Sequence, residues 1–523
     1  MSYGRDCRLT TALFGSRMHP ARSFEEQFPI FTEVRSPLPV GVTGFRSGTC
    51  KLDRVARRRN DERTTMMQPS RFLHLATFSL LTVLNSTAQI PSSYPRATTD
   101  RLVHQKTPMA PPQVNTRFAD PDFGSQMVRV TDATTNTMQP GSFFRNEGSG
   151  QKNEWSRDSK KFYVVGRGGY EFAFGFNPST MHFFSLPNAA PGKGLLLPLR
   201  PGSTFSFVDS DLIYGTTSKT PLSITSYRFS SGVSKTVVDT TTCGTRPALA
   251  FQRGSIVSDD DVSLSGNDSR LSISEGGPAQ GKHPFVVVYD KHLGCRWYNT
   301  QTGEIGGQWG AAGQATIENR FLVRHAYLSR SGKFIRIEVN WDGWYVWNVE
   351  SLQVTHCPLN DRSLHCAGYA AVGYNNVISS LGFLDGMNIG KRKFSNLAQI
   401  TPLVWPLDPP VHFGQEKHFT WSNAYQNDRA PVCISTWNYE GETEITDPFD
   451  GEIFCMETDG LASTVWRFAH NRALWIDPYF QTQPLGNVST DGHFYLFTSN
   501  WDGQLGMDVG SVPRSDVWIL RLD

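Results

Sequence analysis

The sequence predicts an all-β chain folded as a β-propeller, and three observations carry that expectation. From about residue 115 onward, short alternating apolar and polar runs are separated by Gly, Asp, Asn and Ser, and no stretch has the periodicity of a long amphipathic helix. One polar turn phrase recurs ahead of a strand: WSRDSKKFYVV from Trp155, LSGNDSRLSIS from Leu264, LSRSGKFIRIEV from Leu328 and VSTDGHFYLFTS from Val488. Two of these continue in the same register to one tetrapeptide, Asn340-Trp341-Asp342-Gly343 and Asn500-Trp501-Asp502-Gly503, each 11 residues after its serine, Ser329 or Ser489. A looser relative, Ser435-Thr436-Trp437-Asn438-Tyr439-Glu440-Gly441, follows Trp421-Ser422.

Units of short strands that each hide one face must stack around an axis, because radial closure protects most strand edges. At about 45 to 60 residues per blade, residues 115–523 hold seven or eight four-stranded units; we take seven, centred at roughly residues 165, 215, 275, 335, 375, 435 and 495. The final strand, Asp516 to Leu522, is then expected to pair with an early strand near Gln126 to Thr131 and close the ring. The serine-turn phrases resemble those of the TolB-like and WD40-like propellers of exported bacterial proteins. In the two NWDG turns, Asp-Gly is a favoured hairpin turn and the preceding Trp packs between blades; the alternative is that Trp341 and Trp501 stack on a sugar.

Ahead of the ring, Phe72 to Leu84 form an apolar run preceded by Arg71, with small residues Ser86 and Ala88 placed for cleavage before Gln89. This reads as a signal peptide over 66–88, too short for a membrane helix, which needs about 20 apolar residues. Residues 1–65 are expected to be a disordered, non-native extension rather than a basic tail for membrane or RNA, and 89–114, rich in Pro, Ser and Thr, an extended linker. The expected product is a monomer exported to the periplasm or beyond the cell, with no membrane span after signal removal.

Composition excludes further classes. Lys and Arg total 50 against 48 Asp and Glu, too balanced for the basic stripe that neutralises phosphates, so no nucleic-acid partner is expected. An export signal permits disulfides among Cys243, Cys295, Cys357, Cys366, Cys433 and Cys455, and six cysteines allow fifteen pairings. Cys357 and Cys366 are near enough for a local staple, with buried free thiols the alternative. The chain has no CxxC, no GxSxG elbow and no Walker or Rossmann glycine pattern. Ser258-Asp259-Asp260-Asp261 matches no EF-hand spacing and reads as a solvated turn.

Histidine carries the remaining chemical signal. His325, His365, His412 and His418 lie on apparent loops or strand entries, and a propeller gathers the starts of its inner strands at a central channel. The run Gln415-Glu416-Lys417-His418, with His365 about one blade earlier, resembles part of the metal site of oligogalacturonate lyases. Members of that family are seven-bladed propellers in which three His and one Gln hold a divalent metal and β-elimination cleaves uronic-acid oligosaccharides. The resemblance implies His365, Gln415 and His418 as ligands of one divalent ion, Mn or similar. It implies His325 as the base that takes the C5 proton while the metal polarises the uronate carboxylate. The family pattern is Q-x-x-H-x-H, and this chain has Thr420 at the last position, with His412 the nearest substitute. Structural alternatives stand beside these roles: His365 and His418 hydrogen-bonding across blades, His325 serving the frame. Arg296, Arg324 and Arg145 are candidate carboxylate clamps, since guanidinium binds carboxylate bidentately. Two functions follow: a lyase acting on an oligosaccharide in the funnel, or a non-catalytic TolB-like propeller that binds a protein or glycan there.

Overall fold

The computed structural model describes residues 90–147, 152–219, 222–244, 257–258, 262–277, 283–315, 320–339, 343–358, 366–384, 387–403, 416–421, 426–437, 444–459 and 464–523. The expected signal peptide and extension lie outside them, as do Trp341, His365, His412 and Gln415.

Seven antiparallel sheets follow one another along the chain, at 144–185, 204–239, 257–314, 325–357, 367–402, 416–470 and 486–521, numbered here blades 1 to 7. Each is built on four strands, and blades 1, 3 and 7 add further short strands. Blade 7 draws on both ends of the ring. Gly486–Val488, Phe494–Ser499 and Asp516–Arg521 supply three strands, and Gln126–Arg129 pairs with the last of them, Met127 opposite Leu520 and Arg129 opposite Trp518. The expected closure is therefore present. Asp516 sits buried at the seam, where its carboxylate accepts from Arg129 Nε (3.1 Å) and Nη2, Arg514 Nη2 (2.8 Å) and Thr131 Oγ1 (3.3 Å).

The recurring serine phrase is one turn used four times. Ser156, Ser265, Ser329 and Ser489 each donate their N–H to the carbonyl five residues on, at 2.7–3.0 Å. The N–H of that later residue donates back to the serine Oγ, at 2.9–3.0 Å. The fourth residue of the turn has positive φ in every case: Ser159 (54°), Asp268 (56°), Gly332 (72°) and Gly492 (77°). That left-handed position explains the Gly and Asp of the phrase, and the hydroxyl explains the invariant Ser among the four.

Seven apolar clusters fill the seven gaps between neighbouring blades. Strand alternation does the sorting: Phe494 and Leu496 face blade 1, whereas Tyr495 and Phe497 face blade 6. On the next strands Val517 and Ile519 divide from Trp518 and Leu520, and Val128 from Met127, in the same way. Three disulfides form: Cys243–Cys295 joins blades 2 and 3, Cys357–Cys366 staples the passage from blade 4 to blade 5, and Cys433–Cys455 links facing strands of blade 6.

Residues 90–114 form no helix and no strand beyond isolated bridges, and they are docked on blades 6 and 7. Tyr94 lies edge-on to Trp466 (5.4 Å) and Phe468 (5.2 Å) and donates its hydroxyl to Gly492 O (2.9 Å). Thr98 bridges to Arg467, the outermost strand of blade 6. Among the described residues no helix is long and apolar enough to cross a membrane.

Candidate functional site at the channel mouth

Neighbouring blades are tied by hydroxyls of their inner segments: Asn153 N donates to Thr204 Oγ1 (3.1 Å), Leu328 N to Ser263 Oγ (3.0 Å) and Val488 N to Thr420 Oγ1 (3.1 Å). Thr420, which replaces the last histidine of the lyase pattern, is thus a tie between blades 6 and 7.

His418 is the third residue of the inner strand Glu416–Thr420 and is 1% exposed. Its ring lies 4.6 Å from Trp437, 4.2 Å from Tyr369 of blade 5 and 6.2 Å, edge-on, from Phe480 in the connection to blade 7. Nε2 faces Gln483 Oε1 at 3.0 Å; a carbonyl oxygen only accepts, so Nε2 carries the proton and Nδ1 keeps the lone pair. Burial pushes the imidazole down to about 3, against the smaller effect of the Gln483 hydrogen bond. His418 is therefore neutral, in the form a metal or a base requires.

Beyond Phe480 the wall continues into blade 1. The partly exposed Arg145 guanidinium stands 5.9 Å from the Phe480 ring, and its Nη1 donates to Asn146 O (2.7 Å). Close by in sequence and fold, Glu147, Glu154, Glu171 and Lys152 are buried. Glu154 accepts from Glu147 N and Asn146 Nδ2, Glu147 from Gly202 N (3.3 Å) and Glu171 from Ser203 N (3.0 Å), while Lys152 Nζ donates to Gly202 O (2.8 Å). Burial, then the charge of Glu147, pushes Glu171 up to about 8, and burial pushes Glu154 well above the ordinary carboxylate range. Arg145 and Lys152 are the cations beside this group of carboxyls. The sequence reading missed this group: Glu147 and Glu154 lie outside any strand, between the core residues Phe144 and Trp155, where no periodicity marks a buried side chain.

His325 opens the inner strand of blade 4 opposite Glu338 and stacks on Tyr327 at 5.6 Å. Arg336 Nη1 donates to Glu338 (3.2 Å), and Arg324 Nη1 stands 3.7 Å from it. Burial pushes the Glu338 carboxyl up, but the charges of Arg336, His325 and Arg324 together hold it below its ordinary value. Arg324 and His325 thus share one carboxylate, two blades from His418.

Two predicted residues lie in the packing between blades. Arg296 is 1% exposed and donates to Val349 O (2.8 Å) and Ala311 O (2.6 Å). Trp501 is 0% exposed, stacks on Trp518 at 4.1 Å and donates Nε1 to Met109 O (2.8 Å), the packing alternative for its turn. Trp341, His365 and Gln415 lie outside the described residues.

No protein family matches the chain, and no curated protein does. Among solved structures it is similar to the oligogalacturonate lyase of Vibrio parahaemolyticus, at 11% identity and a TM-score of 0.47, over 78% of this chain and 96% of that one. It is also similar to an oligogalacturonate lyase in complex with manganese, at 10% identity and a TM-score of 0.46, over 82% and 98%. The resemblance is weak, and the seven-bladed fold rests on the chain's own seven sheets.

Proposed function

We propose that this propeller is an exported, monomeric, carbohydrate-active protein that seats an acidic oligosaccharide at its channel mouth and cleaves it by metal-dependent β-elimination of uronic-acid units. His418 carries the reading: a neutral imidazole oriented by Gln483, with Nδ1 left as a lone-pair donor and with Tyr369, Phe480 and then Arg145 beside it. His418, His365 and Gln415 are the residues that would hold one divalent ion, Mn or similar; bound there, it would withdraw charge from the uronate carboxylate. Arg145 and Arg324 anchor carboxylates through their planar guanidinium groups. His325, in its neutral form, takes the C5 proton, Phe480 and Tyr369 offer faces for sugar rings, and Trp341 would stack on a further sugar. Arg296 and Trp501 have no part, being held in the frame. Export rests on the apolar run from Phe72 to Leu84.

The test is ultraviolet absorbance of an unsaturated product from pectic oligosaccharides, with and without added Mn²⁺, alongside calorimetric binding of the same sugars. Turnover that disappears in His325→Ala and with chelator supports the lyase. Thr420, whose hydroxyl is engaged with blade 7, favours the second reading, a propeller that binds a glycan or protein without turnover. Sugar binding weakened by Arg145→Ala with no product formed selects that reading for a glycan. No sugar binding at all refutes a carbohydrate role.

A further inference from the structure

Where the N-terminal arm crosses the outer edge of the ring, a carboxylate oxygen of Asp120, one of Asp122 and a ring nitrogen of His470 lie within 4.8 Å of one another. The aspartates belong to the turn between Arg117–Ala119 and Gln126–Arg129, and His470 ends the outermost strand of blade 6. Asp120 Oδ1 accepts the N–H groups of Asp122 and Phe123, both at 2.9 Å, while its Oδ2 is buried with no partner.

The buried ring of His470 fixes its own tautomer. Nε2 faces the His104 carbonyl at 3.1 Å, which only accepts, so Nε2 carries a proton. Nδ1 faces Asp122 Oδ2 at 3.0 Å. In the neutral ring this sets a lone pair against a carboxylate oxygen, a contact that holds only with positive charge between them. A proton there satisfies Asp122 alone and leaves the Asp120 oxygen bare; a metal ion satisfies all three groups.

The surroundings leave room for that charge. Lys106 pairs with Asp502, and Arg472 lies 3.6 Å from Asp502 and 4.0 Å from Asp122 while donating to Thr107 O (2.8 Å). Two cations thus face three carboxylates. Thr107 N (3.1 Å) and Oγ1 (2.5 Å) donate to Asp122, and with the His470–His104 bond these are the outer contacts that orient ligands in metal sites.

We propose that Asp120, Asp122 and His470 form a divalent-cation site, separate from the channel, that pins the N-terminal arm and the outer hairpin of blade 7 to blade 6. Two carboxylates and one imidazole suit Zn²⁺ or Mn²⁺, whereas Ca²⁺ prefers oxygen alone.

The test uses the full chain stripped with chelator, titrated calorimetrically with Zn²⁺, Mn²⁺ and Ca²⁺, with metal content measured in parallel. One equivalent of Zn²⁺ or Mn²⁺ is expected to bind, to weaken by about 100-fold or more in Asp120→Asn and in His470→Gln, and to persist in His418→Ala. Chelator is expected to speed proteolysis within 90–114, and the metal to reverse it. Asp120→Asn keeps the side-chain shape, and an unchanged circular dichroism spectrum confirms its fold. The proposal is overturned if the parent binds neither ion, if binding survives both edge variants, or if it follows His418 alone.

Discussion

Asp516→Ala opens the seam of the ring without touching its backbone pairing. The carboxylate it removes takes hydrogen bonds from Arg129, Arg514 and Thr131, so two poorly solvated guanidinium groups lose their counter-ion. Removing one partner of a buried pair costs about 3–5 kcal/mol, because the charge left behind stays desolvated. Arg129 keeps the carbonyls of Thr131 and Pro112, both at 3.0 Å, and the face of Trp518 at 5.4 Å. Those contacts place the loss at the low end, about 3 kcal/mol. For a ring of about 400 residues the unfolding entropy is roughly 0.8 kcal/mol/K, so the melting temperature should fall by about 4 °C. Scanning calorimetry at neutral pH reads this directly. A fall of less than about 1 °C would refute the reasoning and leave strand pairing and the packing of Val517 and Ile519 as the whole closure.

Other perturbations test other parts of the frame. Glu171, pushed up to about 8 by burial against an ordinary 4.5, favours the fold fully below the lower value and loses that contribution as pH rises through the higher one. Stability should therefore decline by up to about 1.4 kcal/mol per pH unit from pH 5 to 8 and then level, and Glu171→Gln should flatten a melting-temperature profile over that window. The Cys243–Cys295 bridge closes a span of 52 residues. Cys243→Ser with Cys295→Ser should cost about 4 kcal/mol in urea unfolding, and a loss under about 1 kcal/mol would argue against the bridge. Gly332→Ala places a Cβ at φ +72° and 3.2 Å from Arg270 Cδ and Ser265 Cβ, whereas Gly232, at φ +66°, has its nearest atom 4.0 Å away. Both substitutions should cost about 1–2 kcal/mol for the backbone, with Gly332→Ala the worse by its contacts; equal losses would show that the turn relaxes.

What was legible in the chain was whatever the backbone repeats. The serine turn needs a hydroxyl and a left-handed residue at fixed offsets, so four copies announced the repeat, and the length of the chain divided by the size of a blade then led to seven. Trp501 packs between blades as the first reading of its turn has it, with its indole N–H on Met109 O. Arg296 was a candidate clamp because composition does not report that a side chain of the strand Gly294–Asn299 is folded into the gap between blades. The Glu147, Glu154 and Glu171 group was invisible for a related reason. Glu171 opens the strand Glu171–Asn177 while Glu147 and Glu154 lie outside any strand, and what marks all three is burial, which sequence periodicity does not report for a charged residue.

The seam has a consequence in time. Arg129 meets Asp516 only 387 residues later, so a chain made from its N-terminus carries the bare edge of Gln126–Arg129 until the strand Asp516–Arg521 is available. Blades 1 to 6 can take shape while the ring gapes, with the apolar flanks of blades 1 and 6 open to the wrong partners. The six residues Asp516–Arg521 act as a latch, and a chain stopped short of them is left as an open, sticky arc.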